Sequence, residues 1–365
     1  MDPRAPLAAA ILHGHDTVTL TQALDLLALA GDLRAGRAPA PATPASGLAP
    51  ARIVALLRRA SANHEIAGNL AAALGVPASI EQALRQPHPP ETTALEHADA
   101  LPAAFLPASA SLTLVADTIE LPLPWLAGHA RRVARLAQEA ARDGALDEPG
   151  QRCLTRAALL HGIGRAAIPA SIWKRPARFG LAEREATRRA PFWTARAASH
   201  VDGLDQELQL AAQVYERLDG SGYYRGLTGA DLTLAQRLLA VCAMVVALRS
   251  PRSWRPAQSA GATLALLEAQ VAGGRLERAA LRAVLDAARR LEAVPTGTAP
   301  ASHGLSPREL DVLRRISQGQ DPHHIARALR LSSAAVRRHI DSVYRQLGCS
   351  TRAAATLQAL TLGLV

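Results

Sequence analysis

Two histidines stand where an imidazole could do chemistry. His161 ends the apolar run of "AALLHGIGRAAIP", and the chain then turns through Gly162 and Gly164. His129 sits in "PWLAGHARRVARLAQEAARDG", where Leu126, His129, Val133, Leu136 and Ala140 recur at helical steps. Imidazoles converging with carboxylates can hold divalent cations, which polarise a phosphate and generate hydroxide near neutral pH. The residue after His161 is glycine and not an acid. The literal pair His15–Asp16 in "ILHGHD" has the right chemistry, but no partner ligands follow it at helical spacing, so it is expected to be a decoy. His64, His88 and His97 are expected to be scattered surface histidines.

The elements that must position these residues are helical. The chain has 365 residues, enough for two or three domains, and 49% of them are hydrophobic but only 3% aromatic. Alanine, leucine and arginine dominate, a composition that favours helix. No run alternates convincingly as strands do, so the expected fold class is all-α. Broken segments at Gly36–Pro50, Gln86–Ser111 and Val294–Gly304 divide the chain into 1–107, 108–295 and 304–365. Within the first part, Ala60–Arg85 reads as two helices around Gly75–Val76–Pro77. The net charge is +10, which suggests a polyanionic partner. Lys174 is the only lysine, so codon bias toward arginine accounts for part of that charge. Cys153, Cys242 and Cys349 are too scattered for a disulfide frame and read as reduced thiols. The apolar runs are too short for a signal peptide or a membrane span, and a soluble cytoplasmic chain without membrane contact is expected.

The last part has the most specific local pattern. Ser306 is placed to cap a helix, Pro307 to open it, and Glu309 to complete a capping box. Leu310, Leu313 and Ile316 face inward, Gly319 stops the helix, and Ile325, Ala326 and Leu329 form the next buried stripe. Ser332 caps a longer helix, Ser333 to Leu347, which buries Val336, Ile340 and Val343 and exposes Arg337, Arg338 and Asp341. This is helix-turn-helix geometry, with the second helix suited to a major groove. Residues 304–365 hold nine arginines against four acidic residues, a net of +5. The segments "LSPRELDVL", "IARALRLS", "VRRHIDSVYRQLG" and "STRAAA" resemble the LuxR-type helix-turn-helix domain over essentially all of 305–365. The resemblance implies a DNA-binding set of Ser332, Ser333, Val336, Arg337, Arg338, Asp341, Thr351 and Arg352. Arg337 and Arg338 would read bases, and Ser332, Ser333, Thr351 and Arg352 would hold phosphates. Ala334 and Ala335 stand where the family has lysine and threonine, and Asp341 where a basic residue would help affinity, so no known target sequence transfers.

The middle part resembles an HD-GYP domain, a helical metal-dependent phosphodiesterase of cyclic di-GMP. The likeness runs from about Ala116 to Leu291 and rests on "GHARRV", "AALLHGIGRAAIP", "ERLDGSGYYRGLTG" and "LAQRLLAVCAMVVALRSPRSWR". By that pattern His129 and His161 remain as relic ligands. Gly162, Ala190, Val214, Tyr215 and Ala243 replace ligands, Arg165 replaces a lysine, and Tyr224 replaces the motif's proline. His200, Glu216 and Asp219 are further groups a metal could recruit, and Arg225 could meet a phosphate. The first part resembles a shortened HD-like half.

The expectation is a DNA-binding transcriptional regulator whose HD-GYP-like body has lost its metal ligands and serves as sensor or dimerising body. It is expected to be no enzyme, with no catalytic residue, no metal and no cofactor. Its expected partners are double-stranded DNA, a second copy of the chain through the stripe Leu357, Leu360 and Leu364, and an unidentified small-molecule effector. The alternative is a metal-dependent cyclic di-GMP phosphodiesterase tethered to DNA.

Overall fold

The computed structural model describes residues 15–39, 42–43, 49–61, 63–85, 109–142, 146–175, 177, 179–252, 254–293 and 304–365. His88, His97 and parts of the linker segments lie outside the described residues. Among the described residues the fold is all-α apart from a ribbon of two three-residue strands, β1 (Thr17–Thr19) antiparallel to β2 (Ser109–Ser111). Strands this short carry too little alternation for the sequence pattern to show them.

Helix α1 (Leu20–Ala35) starts at a capping box made by Thr19 and Gln22 and stops at Gly36, whose φ of 67° closes the last turn. It buries nearly every side, and its buried acids are satisfied. Asp25 accepts from the Thr43 amide at 3.0 Å and hydroxyl at 2.6 Å, and Asp32 pairs with Arg37 and Arg59. Helix α2 (Pro50–Ala60) lies against α1 so closely that a Cβ at Gly31 would stand 1.9 Å from the Arg59 carbonyl oxygen. Helices α3 (His64–Ala73) and α4 (Ala78–Arg85) follow, joined through Gly75–Val76–Pro77 as expected.

The central body comprises α5 (Leu112–Glu120), α6 (His129–Ala140), α7 (Glu148–Leu160), α8 (Ala170–Lys174), α9 (Leu181–Arg188), α10 (Ala190–Arg196), α11 (Asp205–Ala212), α12 (Leu234–Arg249), α13 (Ala260–Ala272) and α14 (Arg278–Ala293). Leu126 was expected on the same helix as His129. It lies instead in a 3-10 turn, Pro124–Leu126, separated from α6 by Gly128 at φ 66°, although both side chains are buried. One hydrophobic core runs from Val18 through Ile53, Leu70, Val133, Leu159 and Leu239 to Ala287. The helices before residue 107 therefore share their buried side chains with the body that follows.

The C-terminal unit is α15 (Pro307–Ser317), α16 (Pro322–Leu329), α17 (Ser333–Leu347) and α18 (Arg352–Thr361), around its own core of Val312, Leu313, Ile325, Val336, Val343 and Leu364. The local signals act as expected. The Ser306 hydroxyl accepts from the Glu309 amide while the Glu309 carboxylate accepts from the Ser306 amide at 2.8 Å, and Pro307 occupies the first turn. Ser332 caps α17 by accepting from the Ala335 amide. Hydrogen bonds from Ser342 and Ser306 hold the Glu309 carboxyl down at about 2, below its ordinary 4.5. A depressed carboxyl contributes stability above its unfolded pKa and loses it as pH falls through the folded one. Glu309→Gln should therefore cost about 1 kcal/mol at neutral pH and become neutral near pH 2. Amide exchange within α15 and α17, compared between the two pH values, reads this directly.

Candidate functional site

Helix α17 carries the residues expected to read bases. Arg337, Arg338 and Asp341 are exposed on one side, and the opposite side packs Val336 and Val343 into the small core. Val336 is the exception among the expected DNA contacts: it is fully buried, so its side chain supports the helix and does not reach a base. Ser332 is exposed at the cap, and Ser333 lies 3.1 Å from His323 of α16.

The other end of the C-terminal unit is engaged by the main body. Thr351 caps α18, accepting from the Ala354 amide. Beside it, the Glu65 carboxylate of α3 accepts from the Ser350 amide at 3.1 Å, from the Ser350 hydroxyl and from the Thr351 hydroxyl at 3.3 Å. Burial works against the charge of Glu65, but the hydrogen bonds from Ser350 and Thr351 prevail and hold its carboxyl below the ordinary range. Asn69, one turn further along α3, reaches Cys349 at 3.8 Å. Helix α18 also gives Leu357 to the core of the main body. Leu357, Leu360 and Leu364, expected as a dimer stripe, are all buried within the chain: packing against the body and the small core consumes the surface.

In the body, the backbone of α6 and the end of α7 bring His129 and His161 together, with ring centroids 5.5 Å apart and both rings buried. The His161 Nδ1 donates to the Ala158 carbonyl at 2.6 Å, which leaves Nε2 facing inward without a partner, as is Nδ1 of His129. Burial, then the nearby charges of Arg165 and Arg252, hold His129 far below its ordinary range and His161 down at about 3, so both rings are neutral. Arg165 enters this pocket over Gly162. A Cβ at Gly162 would stand 3.3 Å from its Nη1. Its Nη2 donates to the Tyr215 hydroxyl at 2.8 Å, and Tyr215 stacks on Tyr223. Arg252 lies over the Trp125 ring at 4.7 Å. Glu120 is spent on structure, accepting from the His129 and Ala130 amides at 2.8 Å each at the start of α6, and burial pushes its carboxyl up to about 8.

The remaining sequence candidates are structural. Asp16 is buried and accepts from the Ser111 and Thr113 hydroxyls at 2.8 Å each, tying β2 to β1. Glu216 accepts from the Arg225 and Leu227 amides and so shapes the "DGSGYYRG" loop. Ala190, Val214 and Ala243 are buried apolar positions. Among the described residues, no three of His, Cys, Asp or Glu converge as a cation would need. The positive charge of Arg165 acts on both rings. Sequence reasoning missed Glu65, Glu120 and Arg252, because nothing in their local pattern points to these long-range contacts.

Residues 113–279 match the HD domain family, and residues 303–359 match the luxR family of bacterial regulatory proteins. The chain thus carries a segment that matches the HD domain family, followed by a segment that matches the luxR family of bacterial regulatory proteins. Over the HD segment it is 29% identical across 157 residues to 3'3'-cGAMP-specific phosphodiesterase 3 of Vibrio cholerae, covering 43% of this chain and 34% of that protein. It is 31% identical across 162 residues to the cyclic di-GMP phosphodiesterase response regulator RpfG of Xanthomonas campestris pv. campestris, covering 44% of this chain and 43% of that one. Over the C-terminal segment it is 42% identical across 62 residues to the probable transcriptional regulatory protein NarL of Mycobacterium tuberculosis, covering 17% of this chain and 29% of that one. The chain thus spans less than half the length of each of these relatives. The expectation that the HD domain is no enzyme is overturned by its relatives, which are named phosphodiesterases. No helix among the described residues is long and apolar enough to cross a membrane.

The loop that carries Arg165 depends on a close backbone approach. A Cβ at Gly164 would stand 1.9 Å from the Ala190 carbonyl oxygen and 2.7 Å from the Thr194 hydroxyl. Gly164→Ala should therefore destabilise the chain by about 1–3 kcal/mol, measured by urea denaturation, whereas Ala166→Gly in the same turn should cost less than half of that.

Proposed function

We propose that the chain is a transcriptional regulator whose HD body senses a small molecule and restrains its own DNA-binding unit. One observation carries this reading: the Glu65 carboxylate sits on Ser350 and Thr351 at the start of α18. A helix N-terminus with free amides and hydroxyls is a seat for an anion, and on DNA that anion is a backbone phosphate. Glu65 fills the seat from within the chain. Arg337 and Arg338 stay exposed, so the body weakens the grip on the phosphate backbone without covering the reading helix.

A homodimer on paired half-sites belongs to the same reading, since one such module offers a small contact. In the closed arrangement Leu357 is taken up by the body's core, so release of α18 from the body would free a phosphate seat and an apolar stripe together. A second reading is favoured by the names of the HD relatives: a cyclic-dinucleotide phosphodiesterase that the helix-turn-helix brings to DNA. Turnover of cyclic dinucleotides by the purified chain, with and without added divalent metal, separates the two.

Two outcomes test the regulator. Arg337→Ala or Arg338→Ala should each cost about 1–3 kcal/mol at the preferred site, and affinity should fall steeply with salt. Unchanged affinity in both variants on a mapped site would remove α17 as the reader. Glu65→Ala should raise DNA affinity by about three- to tenfold at low salt, because it vacates the seat without touching a DNA contact. An equal or weaker affinity, measured by fluorescence anisotropy in the full chain, would show that Glu65 is not a restraint.

A further inference from the structure

A cavity of about 900 Å³ lies between the HD body and the DNA-binding unit. Its apolar wall is formed by Val245, Val246, Leu264 and Leu285 from the body and by Leu360 and Val365 from the C-terminal unit. The volume is at the upper end of what small-molecule sites offer, and junctions between domains are where such sites commonly occur.

The polar residues of this wall are incompletely satisfied. Trp125 Nε1, Arg131 Nε, Thr263 Oγ1 and Ser317 Oγ are buried atoms without a hydrogen-bond partner, and all four residues line the cavity. These atoms have no hydrogen-bond partner among the described residues, but they are closed off from the cavity itself, so the groups a ligand can meet are the apolar side chains and the arginines of the wall. Arginine dominates the charged lining. Arg131, Arg289 and Arg314 are paired with Asp117, Asp286 and Asp311. Arg132 and Arg249 instead donate to the carbonyls of Ala127 and Gln258, and neither makes an ion pair among the described residues. Glu292 is the only acid in the lining among the described residues. An apolar wall with two guanidinium groups that make no direct ion pair, Arg249 foremost, complements a molecule with an apolar body and an anionic head.

We propose that this cavity binds such a molecule, a medium-chain carboxylate in its simplest form, as the effector of the regulator. The proposal rests on the reading of the HD body as a sensor and names the chemistry it senses. The sign of regulation follows from position. The cavity has walls on both units and loses one of them when the units separate. A ligand bound there stabilises the docked arrangement, in which Glu65 holds Ser350 and Thr351. It therefore lowers DNA affinity, and by linkage DNA lowers the ligand's affinity by the same factor.

The test uses the full chain without DNA first. 8-Anilinonaphthalene-1-sulfonate, apolar with a sulfonate head, should bind once per chain with enhanced fluorescence, and decanoate should displace it at least about tenfold better than decanol. Gly261 lines the cavity, and a Cβ there meets open space, so Gly261→Phe fills the site from within α13 without an initial clash. It should weaken both compounds by at least about tenfold with unchanged helical circular dichroism. Arg249→Gln, which leaves the cavity open, should abolish most of the preference for decanoate over decanol. Failure of decanoate to displace the probe, full binding by a folded Gly261→Phe chain, or an unchanged preference in Arg249→Gln overturns the site. Adding DNA then reads the coupling separately. Decanoate should weaken DNA binding, and an unaltered DNA affinity with the site saturated overturns its role as effector while leaving the DNA-binding reading intact.

Discussion

The Glu65 carboxylate at the start of the last long helix is the contact on which the arrangement of the two units turns. It joins residues 285 positions apart, ties the first turn of α3 to the cap of α18, and is accompanied by Asn69 on Cys349 and by Leu357 in the body's core. An acid at two helix N-termini at once is favoured by both dipoles, and its hydrogen bonds hold it ionised. A surface ion-type contact alone is worth little, so the docking also depends on the apolar burial of α18 beside it. Under the proposed function that division suits a switch: the apolar contact would supply affinity between the units, and the carboxylate would compete with phosphate.

In the segment that matches the HD domain family, two arginines stand beside the histidine pair. Arg165 reaches in over Gly162, Arg252 approaches from the end of α12, and the two imidazoles are kept neutral by burial and by those charges. The relatives that share this stretch are named phosphodiesterases, so the chemistry of the pocket is a question separate from the restraint on DNA binding. Neither the seat held by Glu65 nor the cavity between the units requires the histidines.

The C-terminal unit was legible because its instructions are local. Ser306 with Glu309, Pro307 in the first turn and Ser332 before α17 are caps that a short window of sequence shows, and each makes the bond its type implies. The histidine pair was legible as a motif, and the structure brings His129 and His161 together. What the sequence could not show lies in pairings over long separation. Leu357, Leu360 and Leu364 have the spacing of a dimer stripe, but spacing does not say whether the partner is a second copy or the chain's own body. Val336 has the position of a contact residue but the burial of a core residue. Leu126 kept its inward side although Gly128 interrupts the helix, because periodicity reports the face and not the continuity of the backbone.

The central claim is that docking of α18 on α3 weakens DNA binding, and a reversible lock tests it most directly. Asn69 Nδ2 lies 3.8 Å from Cys349 Sγ, so Asn69→Cys in a chain with Cys153 and Cys242 replaced by serine and alanine should form a disulfide across the contact. With the bond confirmed by thiol counting, the oxidised chain should bind DNA at least about tenfold more weakly than the same chain after reduction. Equal affinity of the oxidised and reduced chains for the same site would contradict the account.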